Sequence, residues 1–181
     1  MRIISGKYKS RRFQLPTNFT ARPTTDFARE SLFNILNNRI EWEETDALDL
    51  YSGTGSIAIE MVSRGCKHVV SVESSAKNHA FIEKVKKKLD ANEMLTIKAD
   101  VFSFIKSCSQ TFDLIFADPP YDLEGLSSIP TKVLELNLLK PDGIFIIEHS
   151  KKNTFIDHPL FTEERKYGNV HFSFFSKDRK E

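Results

Sequence analysis

The sequence contains few cysteines and no long apolar run. Only Cys66 and Cys108 are cysteines among the 181 residues, and neither has a Cys or His neighbour at metal-ligand spacing. The five histidines show no such spacing either, which predicts that no metal is bound. No segment approaches the roughly 18 apolar residues that a membrane span needs, and the amino terminus lacks a signal-peptide core. We therefore expect a cytoplasmic protein that binds no membrane and keeps its thiols reduced.

The small net charge conceals an uneven distribution. The formal net charge of +1 does not by itself favour a nucleic-acid partner. However, residues 1–22 contain six of the 26 basic residues and none of the 25 acidic residues. These cations are Arg2, Lys7, Lys9, Arg11, Arg12 and Arg22. A basic arm of this kind either contacts phosphates or remains a solvated tail, and charge alone does not separate the two.

The amino-terminal region has a pattern of its own. Apolar and basic residues alternate over residues 2–15 around glycine and serine and end at a proline, which predicts a short β-hairpin. Thr24 or Thr25 can then cap a helix that runs to about Arg39, since its apolar residues recur at helical spacing. The basic side chains would therefore be held on an ordered hairpin.

Strand-like and helix-like segments alternate from residue 46 onward, which is typical of a mostly parallel sheet with helices on both faces. Strands are predicted at residues 47–51, 68–73, 95–100, 112–118 and 143–148, and helices at 56–64, 76–91, 101–108 and 128–138. A terminal antiparallel hairpin, at residues 163–167 and 170–176, completes a seven-stranded α/β sheet. Because repeats are absent, we expect one domain over residues 1–181, in which residues 1–40 extend a core formed by residues 41–181.

Two glycines follow the first predicted strand, in the sequence Asp49-Leu50-Tyr51-Ser52-Gly53-Thr54-Gly55-Ser56. Glycines let the backbone pass close to a ligand. Glu73 ends the next strand, where its carboxylate can accept hydrogen bonds from both ribose hydroxyls of a nucleoside. A nicotinamide dehydrogenase fits too, although Asp49 would then lie beside a pyrophosphate that prefers positive surroundings. A carboxylate at this position suits instead a ligand that carries an amino group and a sulfonium. The alternative is that the two glycines only make a tight strand-to-helix turn and bind no ligand.

Asp100 and Val101 follow the third predicted strand at the same edge of the sheet. The Asp100 carboxylate can accept a hydrogen bond from an adenine amino group, while a backbone N–H beside it donates to the adenine ring. Asp100 can equally be the N-cap of the next helix, and the two roles are compatible.

The sequence Asp118-Pro119-Pro120-Tyr121 comes directly after the apolar run 112–117. Because prolines have a fixed φ and no N–H, this loop offers carbonyl and carboxylate acceptors without competing donors. Asp118 and the Pro119 carbonyl can accept both N–H bonds of an exocyclic base amine, whose lone pair is otherwise delocalised into the ring. Tyr121 can stack on a base that has been flipped out of its helix. We therefore predict in-line methyl transfer to a base amine here, against the alternative of a proline-stiffened turn.

Together these residues resemble the bacterial small-subunit ribosomal RNA guanine-N2 methyltransferases. The resemblance is carried by residues 2–15, Arg22-Pro23-Thr24-Thr25-Asp26, Glu30-Ser31-Leu32-Phe33-Asn34, residues 48–55, Ser63-Arg64-Gly65, Asp118-Pro119-Pro120-Tyr121 and Tyr167-Gly168. It implies a Rossmann-like class I methyltransferase fold, S-adenosylmethionine as cofactor, and methylation of a guanine N2 in 16S rRNA within an assembling small subunit. We also expect a monomer.

The resemblance also assigns roles to particular residues. The candidate cofactor-binding residues are Asp49, Tyr51, Gly53, Gly55, Glu73, Asp100, Val101 and Asp118, and the catalytic residues are Asp118, Pro119, Pro120 and Tyr121. The candidate RNA-binding residues are Arg2, Lys7, Lys9, Arg11, Arg12, Arg22 and Thr24. Two departures stand out: Phe27 replaces an arginine that is frequent in the family, and Tyr51-Ser52 replaces the more common Phe-Ala.

Three other functions remain open from the sequence. A DNA or RNA adenine-N6 methyltransferase shares the loop chemistry. A nicotinamide dehydrogenase shares the glycine loop but leaves Asp118 to Tyr121 without a role. A non-catalytic ribosome-assembly factor would only bind RNA, through the basic arm.

Overall fold

Seven strands form one mixed sheet in the computed structural model, which describes residues 1–15 and 25–177. The strands are β1 (Asp46–Leu50), β2 (His68–Glu73), β3 (Met94–Lys98), β4 (Phe112–Ala117), β5 (Leu139–His149), β6 (Phe161–Tyr167) and β7 (Val170–Ser176). The helices are α1 (Asp26–Leu36), α2 (Ser56–Ser63), α3 (Ala76–Leu89), α4 (Val101–Ser107) and α5 (Ile129–Glu135). The predicted seven-stranded α/β architecture is confirmed. Strand β5 begins at Leu139 rather than at residue 143, because Leu139 already pairs with Phe112 of β4.

The strand order places a topological switch in the middle of the sheet. The order is β3-β2-β1-β4-β5-β7-β6. Strands β1 to β5 are parallel, whereas β7 runs antiparallel to β5 and β6 antiparallel to β7. The chain builds outward in one direction from β1 and then returns to place β4 on its other side. Open α/β sheets bind ligands outside the carboxyl ends of the strands at such a point.

The central strands are buried on both faces. Ala47 of β1 and Leu114 of β4 pack on the side of α1, α2 and α3, whereas Leu48 and Ile115 pack on the side of α4 and α5. All four side chains are fully buried. This explains why these strands appear in the sequence as continuous apolar runs rather than alternating patterns. Among the helices of the described residues, none has the length and apolar character needed to cross a membrane.

Helix α1 begins at one of the two predicted caps. The Thr25 hydroxyl accepts a hydrogen bond of 3.2 Å from the Ala28 amide. The helix ends at Leu36 rather than near Arg39, because the chain tightens there and the Arg39 amide donates to the Leu36 carbonyl, three residues back. The alternative cap Thr24, like Arg22, lies outside the described residues.

The amino-terminal segment pairs with itself over a shorter stretch than the predicted hairpin. An antiparallel bridge joins Arg2 and Arg12, and backbone hydrogen bonds link Met1 with Phe13 and Ile3 with Arg11. The pairing ends there because the Ser5 amide donates to the Glu60 carboxylate over 3.0 Å, and the Ile4 amide beside it donates to the same carboxylate over 2.8 Å. We call residues 1–13 the docked arm.

Helix α2 holds the docked arm through side-chain and backbone contacts. Glu60 is fully buried, and the Tyr8 amide donates to Ser63 Oγ over 3.0 Å. Gly6, at φ +80°, lies so close to Ser63 that an added Cβ would be 1.7 Å from its carbonyl oxygen. With Ile3 buried in the core, the arm is a packed part of the fold and not a solvated tail.

Candidate functional site

A cavity of about 410 Å³ lies at the carboxyl ends of the parallel strands. Ligand cavities in proteins typically measure about 300–1,000 Å³. The cavity is lined by Thr25, Tyr51, Ser52, Gly53, Thr54, Ser56, Glu73, Ser74, Asn78, Asp100, Val101, Asp118, Pro119, Pro120, Tyr121, Glu148 and Val170. The glycine loop after β1 and the proline loop after β4 therefore share one site. All predicted cofactor-binding and catalytic residues line it except Asp49 and Gly55.

The glycine loop is tied to the end of β2. The Gly53 amide donates to Glu73 Oε2 over 2.7 Å, and the Ser75 amide donates to Glu73 Oε1 over 2.7 Å. These two bonds fix the orientation of a carboxylate that is almost fully buried. Each of its oxygens keeps a second lone pair, so Glu73 can still accept hydrogen bonds from vicinal hydroxyls.

Asp49 and Gly55 lie behind the glycine loop, packed on α2 and α3, and do not line the cavity. Asp49 is buried, and its Oδ2 accepts a hydrogen bond of 3.2 Å from the Ala58 amide in the first turn of α2. Burial raises the pKa of Asp49 from 3.8 to about 7. Gly55 packs on α3, where an added Cβ would lie 3.0 Å from Ile82. These contacts give both residues a supporting role in the loop, and their predicted contact with the ligand stays a prediction.

Asp100 has one of the two roles predicted for it, the N-cap, and is located where the other, a contact with an adenine, remains a prediction. Its Oδ1 accepts a hydrogen bond of 2.9 Å from the Ser103 amide, so it is the N-cap of α4. Asp100 and Val101 also line the cavity, at the start of α4, which follows the strand next to that of Glu73. Tyr51 lies nearby in a left-handed conformation, at φ 60°, and burial together with Asp100 raises the pKa of its hydroxyl to about 12.

The proline loop presents its acceptors to the cavity. The Asp118 amide donates to the Leu50 carbonyl over 3.2 Å, which anchors the loop to the end of β1. Burial raises the pKa of Asp118 well above 3.8, and the neighbouring carboxylates Glu148 and Asp49 raise it further. Tyr121 is 41% exposed and its hydroxyl donates to Glu148 Oε1 over 2.9 Å. The exposed ring is thus held beside the acceptors.

Glu148 is a site residue that the sequence interpretation missed. It is 3% exposed, ends β5 beside Asp118, and lines the cavity. A signal for it was present, because Glu148 closes the last predicted parallel strand as Glu73 and Asp118 close theirs. Thr25, Ser52, Thr54, Ser56, Ser74, Asn78 and Val170 were missed as well. Ser52, Thr54 and Ser56 belong to the glycine loop in which other residues were singled out, whereas Ser74, Asn78 and Val170 lie outside any motif.

The structure separates the predicted RNA-binding cations into two groups. Arg2 pairs with Asp26 at 3.1 Å, and Lys7 forms an ion pair with Glu93. Lys9, Arg11 and Arg12 are exposed on the docked arm. Lys9, Arg11 and Arg12 are therefore better suited to contact phosphates, while Arg2 lies at the beginning of α1, whose N-cap Thr25 lines the cavity.

Phe27, where the family often has arginine, is an exposed aromatic side chain. It is 69% exposed, and its ring lies edge-on to that of Tyr167 at a centroid distance of 5.9 Å. Thr25 and Val170, close to these two residues in the chain, line the cavity. Phe27 is therefore an exposed aromatic side chain beside residues that line the cavity.

The fold and the cavity define a class I methyltransferase, an enzyme that takes its methyl group from S-adenosylmethionine. The cavity fits this cofactor: among the described residues, the only heavy atom within 4 Å of a Cβ built on Gly53 is the Tyr51 carbonyl oxygen, at 4.0 Å, so the loop leaves room for a ligand. Carboxylates on the next two strands, Glu73 and Asp100, can bind ribose hydroxyls and an adenine amine.

The chain belongs to the family described as conserved hypothetical protein 95, whose profile matches residues 1–176. It is 31% identical to the ribosomal RNA small subunit methyltransferase D of Buchnera aphidicola subsp. Baizongia pistaciae, over 97% of this chain and 91% of that protein. Its identity to the Haemophilus influenzae protein of the same name is 30%, over 91% and 83% of the two chains. An Escherichia coli structure, named as a candidate methyltransferase, has a TM-score of 0.86 at 22% identity over 98% and 99%. The family resemblance found in the sequence is thereby confirmed.

Proposed function

We propose that this chain methylates the exocyclic N2 amine of a guanine in 16S rRNA of the small ribosomal subunit. The observation that carries the proposal is the pairing of Asp118 with Glu148 at the cavity, beside a proline loop without N–H donors. The names of the relatives support rRNA as the substrate.

The cofactor half of the cavity is formed by the loops after β1, β2 and β3. Glu73 is placed to bind the ribose hydroxyls, and Asp100 with the Val101 amide to bind the adenine. Gly53 lets the backbone approach the ligand. When bound, S-adenosylmethionine supplies an electrophilic methyl group on a sulfonium.

The proline loop prepares the amine. Asp118 and the Pro119 carbonyl accept its two N–H bonds, which orients the nitrogen lone pair toward the cofactor half. Tyr121 stacks on the flipped base, and its hydrogen bond to Glu148 keeps the ring in place. A second carboxylate close to Asp118 leaves this pair of groups able to hold the proton that the amine releases.

Glu148 favours guanine over adenine. The Watson–Crick edge of guanine carries donors at both N1 and N2, which two neighbouring carboxylates can accept. Adenine would turn the lone pair of its N1 toward an acceptor, and the mismatch of buried polar groups costs binding free energy. The adenine alternative is therefore disfavoured by the same residue that the sequence interpretation missed.

The docked arm is proposed to bind the RNA backbone. Lys9, Arg11 and Arg12 are exposed cations on a segment whose backbone is fixed to α2. A fixed set of cations can position the RNA as well as attract it. Phe27, exposed near the cavity, adds a stacking surface in place of the frequent arginine.

Nucleoside analysis tests the proposal directly. Small subunits that lack the modification are incubated with the chain and methyl-labelled S-adenosylmethionine, and the digested RNA is analysed by mass spectrometry. We expect the label in N2-methylguanosine. Label in N6-methyladenosine would replace the proposal by the adenine alternative, and RNA binding without label would replace it by an assembly factor.

A further inference from the structure

Two histidines and a glutamate meet on the face of the sheet opposite the side chain of Glu148. Strand pairing places His149 of β5 directly opposite His171 of β7. Glu164 of β6 adds a carboxylate oxygen that lies 3.8 Å from His149 Nε2 and 3.0 Å from His171 Nδ1. These three ligand atoms all lie within 4.8 Å of one another. The sequence spacing did not reveal this cluster, because its members come from three strands.

The cluster is enclosed by the protein. His149 is fully buried and His171 is 8% exposed. The ring of Phe155 covers His149 edge-on at a centroid distance of 5.0 Å. Lys166 pairs with the other oxygen of Glu164 at 3.0 Å, which leaves Oε1 directed at the histidines. Such an enclosed group of donors resembles a structural site rather than an open catalytic one.

The hydrogen bonds of His149 set its tautomer for coordination. Its Nδ1 lies 2.9 Å from the Ser150 carbonyl oxygen, which can only accept, so Nδ1 carries the proton. Nε2 therefore presents a lone pair toward Ser173 Oγ at 2.8 Å and toward Glu164. A backbone carbonyl that fixes the ring through the second nitrogen is the usual arrangement behind a metal-bound histidine.

We propose that His149 Nε2, His171 Nδ1 and Glu164 Oε1 form a structural Zn²⁺ site. Two imidazoles and one carboxylate are a donor set that Zn²⁺ accepts, with bonds of about 2.0–2.2 Å. Such bonds bring neighbouring ligands about 3.4 Å apart in a tetrahedron, so small side-chain rotations close the observed spacing. Water or Ser173 Oγ supplies the fourth ligand. The ion would fasten the β6–β7 edge of the sheet to β5, next to Glu148.

Metal titration of the full-length chain tests this site without any measurement of activity. Chelator-treated protein is titrated with Zn²⁺ by equilibrium dialysis, and with Co²⁺ while its visible absorption is recorded. We expect one equivalent, a tetrahedral Co²⁺ spectrum, and a midpoint of thermal unfolding raised by about 5–10 °C at a hundredfold excess over Kd.

Single substitutions locate the bound ion. Glu164→Gln and His171→Gln are expected to weaken Zn²⁺ binding at least about tenfold. His79→Gln, which changes a histidine outside the cluster, and Cys108→Ser, which removes the more accessible thiol, are expected to leave it unchanged. The Glu164 side chain is partly exposed, so its amide variant keeps the fold, which circular dichroism verifies. Absence of stoichiometric binding, or an affinity equal to that of the wild type in both cluster variants, would show a hydrogen-bonded triad instead.

Discussion

The cavity and the docked arm differ in how they hold their charged groups. The cavity region buries Asp49 and Glu148 and half-buries Asp118, and desolvation raises the pKa of the two aspartates. The docked arm exposes Lys9, Arg11 and Arg12, while its backbone and Ile3 are packed against the core. Desolvation shifts the pKa of a buried carboxylate and so changes when it binds a proton. Exposed cations attract and position a charged ligand, and salt screens that attraction. The two regions should therefore respond to different perturbations.

Removal of the central acceptor should give the largest effect. Asp118→Ala is expected to lower methyl transfer about 10²–10³-fold, because the amine loses the group that orients it. Single-turnover assays with labelled cofactor measure the rate, and calorimetry measures cofactor affinity. The affinity should change little, since Glu73, Asp100 and Gly53 are intact. Full activity would remove Asp118 from the mechanism.

Loss of the negative charge of Glu148 should have the second-largest effect on activity. Glu148→Gln is expected to lower kcat/KM about 10–100-fold, because an amide N–H₂ would face the donors of guanine. Tyr121→Phe is the matched comparison, since it removes the 2.9 Å hydrogen bond to Glu148 but keeps the carboxylate. Its effect should be smaller. If the two variants were equally impaired, Glu148 would only position Tyr121.

A substitution that clashes with the backbone of α2 should weaken RNA binding by the arm without changing cofactor binding in the cavity. Gly6→Ala places a Cβ 1.7 Å from the Ser63 carbonyl oxygen, so we expect the arm to detach and RNA affinity to fall about tenfold. Gly168→Ala is the control, because Gly168 also has a positive φ but no atom of the described residues lies within 4 Å of its Cβ position. Filter binding and cofactor calorimetry should show that only the first variant loses RNA, with cofactor affinity kept.

The pH dependence of the free energy of unfolding should reveal the buried carboxylate of Asp49, which lies behind the glycine loop. The folded state raises the pKa of Asp49 from 3.8 to about 7, so it binds a proton that the unfolded chain has already lost. The corresponding stability is present below pH 3.8 and disappears as the pH rises through about 7. Asp49→Asn should therefore gain about 5 °C in unfolding midpoint relative to the wild type between pH 5 and pH 8. The exposed Asp142→Asn should run parallel to the wild type, and a parallel Asp49→Asn curve would contradict the assignment.

The smallest effect should come from the exposed cations. The triple variant Lys9→Gln, Arg11→Gln, Arg12→Gln is expected to flatten the dependence of log K on log salt for RNA binding by about 2. Lys84, Lys87 and Lys88 are exposed on α3, and their replacement by glutamine gives the same charge change elsewhere. An unchanged slope in the arm variant, or an equal change in both, would show that the arm does not contact phosphates.

Strand ends were the most predictable part of the site. Glu73, Asp100 and Asp118 were found because the carboxyl ends of parallel strands meet at one edge of a sheet. The same rule selected Asp49, whose side chain bonds to α2 and does not line the cavity, because the rule locates a residue along a strand but not the direction of its side chain. Glu148 obeyed the rule and was overlooked because no motif surrounds it.

Contacts between segments distant in sequence were not predictable. The hairpin expected at residues 2–15 fits local alternation, but the observed pairing ends at Ile3, because the Ser5 amide bonds to Glu60 instead of to the opposite strand. His149, Glu164 and His171 meet only through the antiparallel register of β5, β6 and β7. The local sequence pattern indicates which helix or strand forms. The register between strands and the packing of the arm on α2 depend on residues that are distant in sequence.

The attachment of the arm to α2 also has a consequence for synthesis. Ser5 bonds to Glu60 and Ser63, which follow it by 55 and 58 residues. During translation the basic segment therefore leaves the ribosome well before its binding surface exists. The arm is made before the helix that holds it, so it reaches its final place only later, and until then its cations are exposed to the surroundings of the nascent chain.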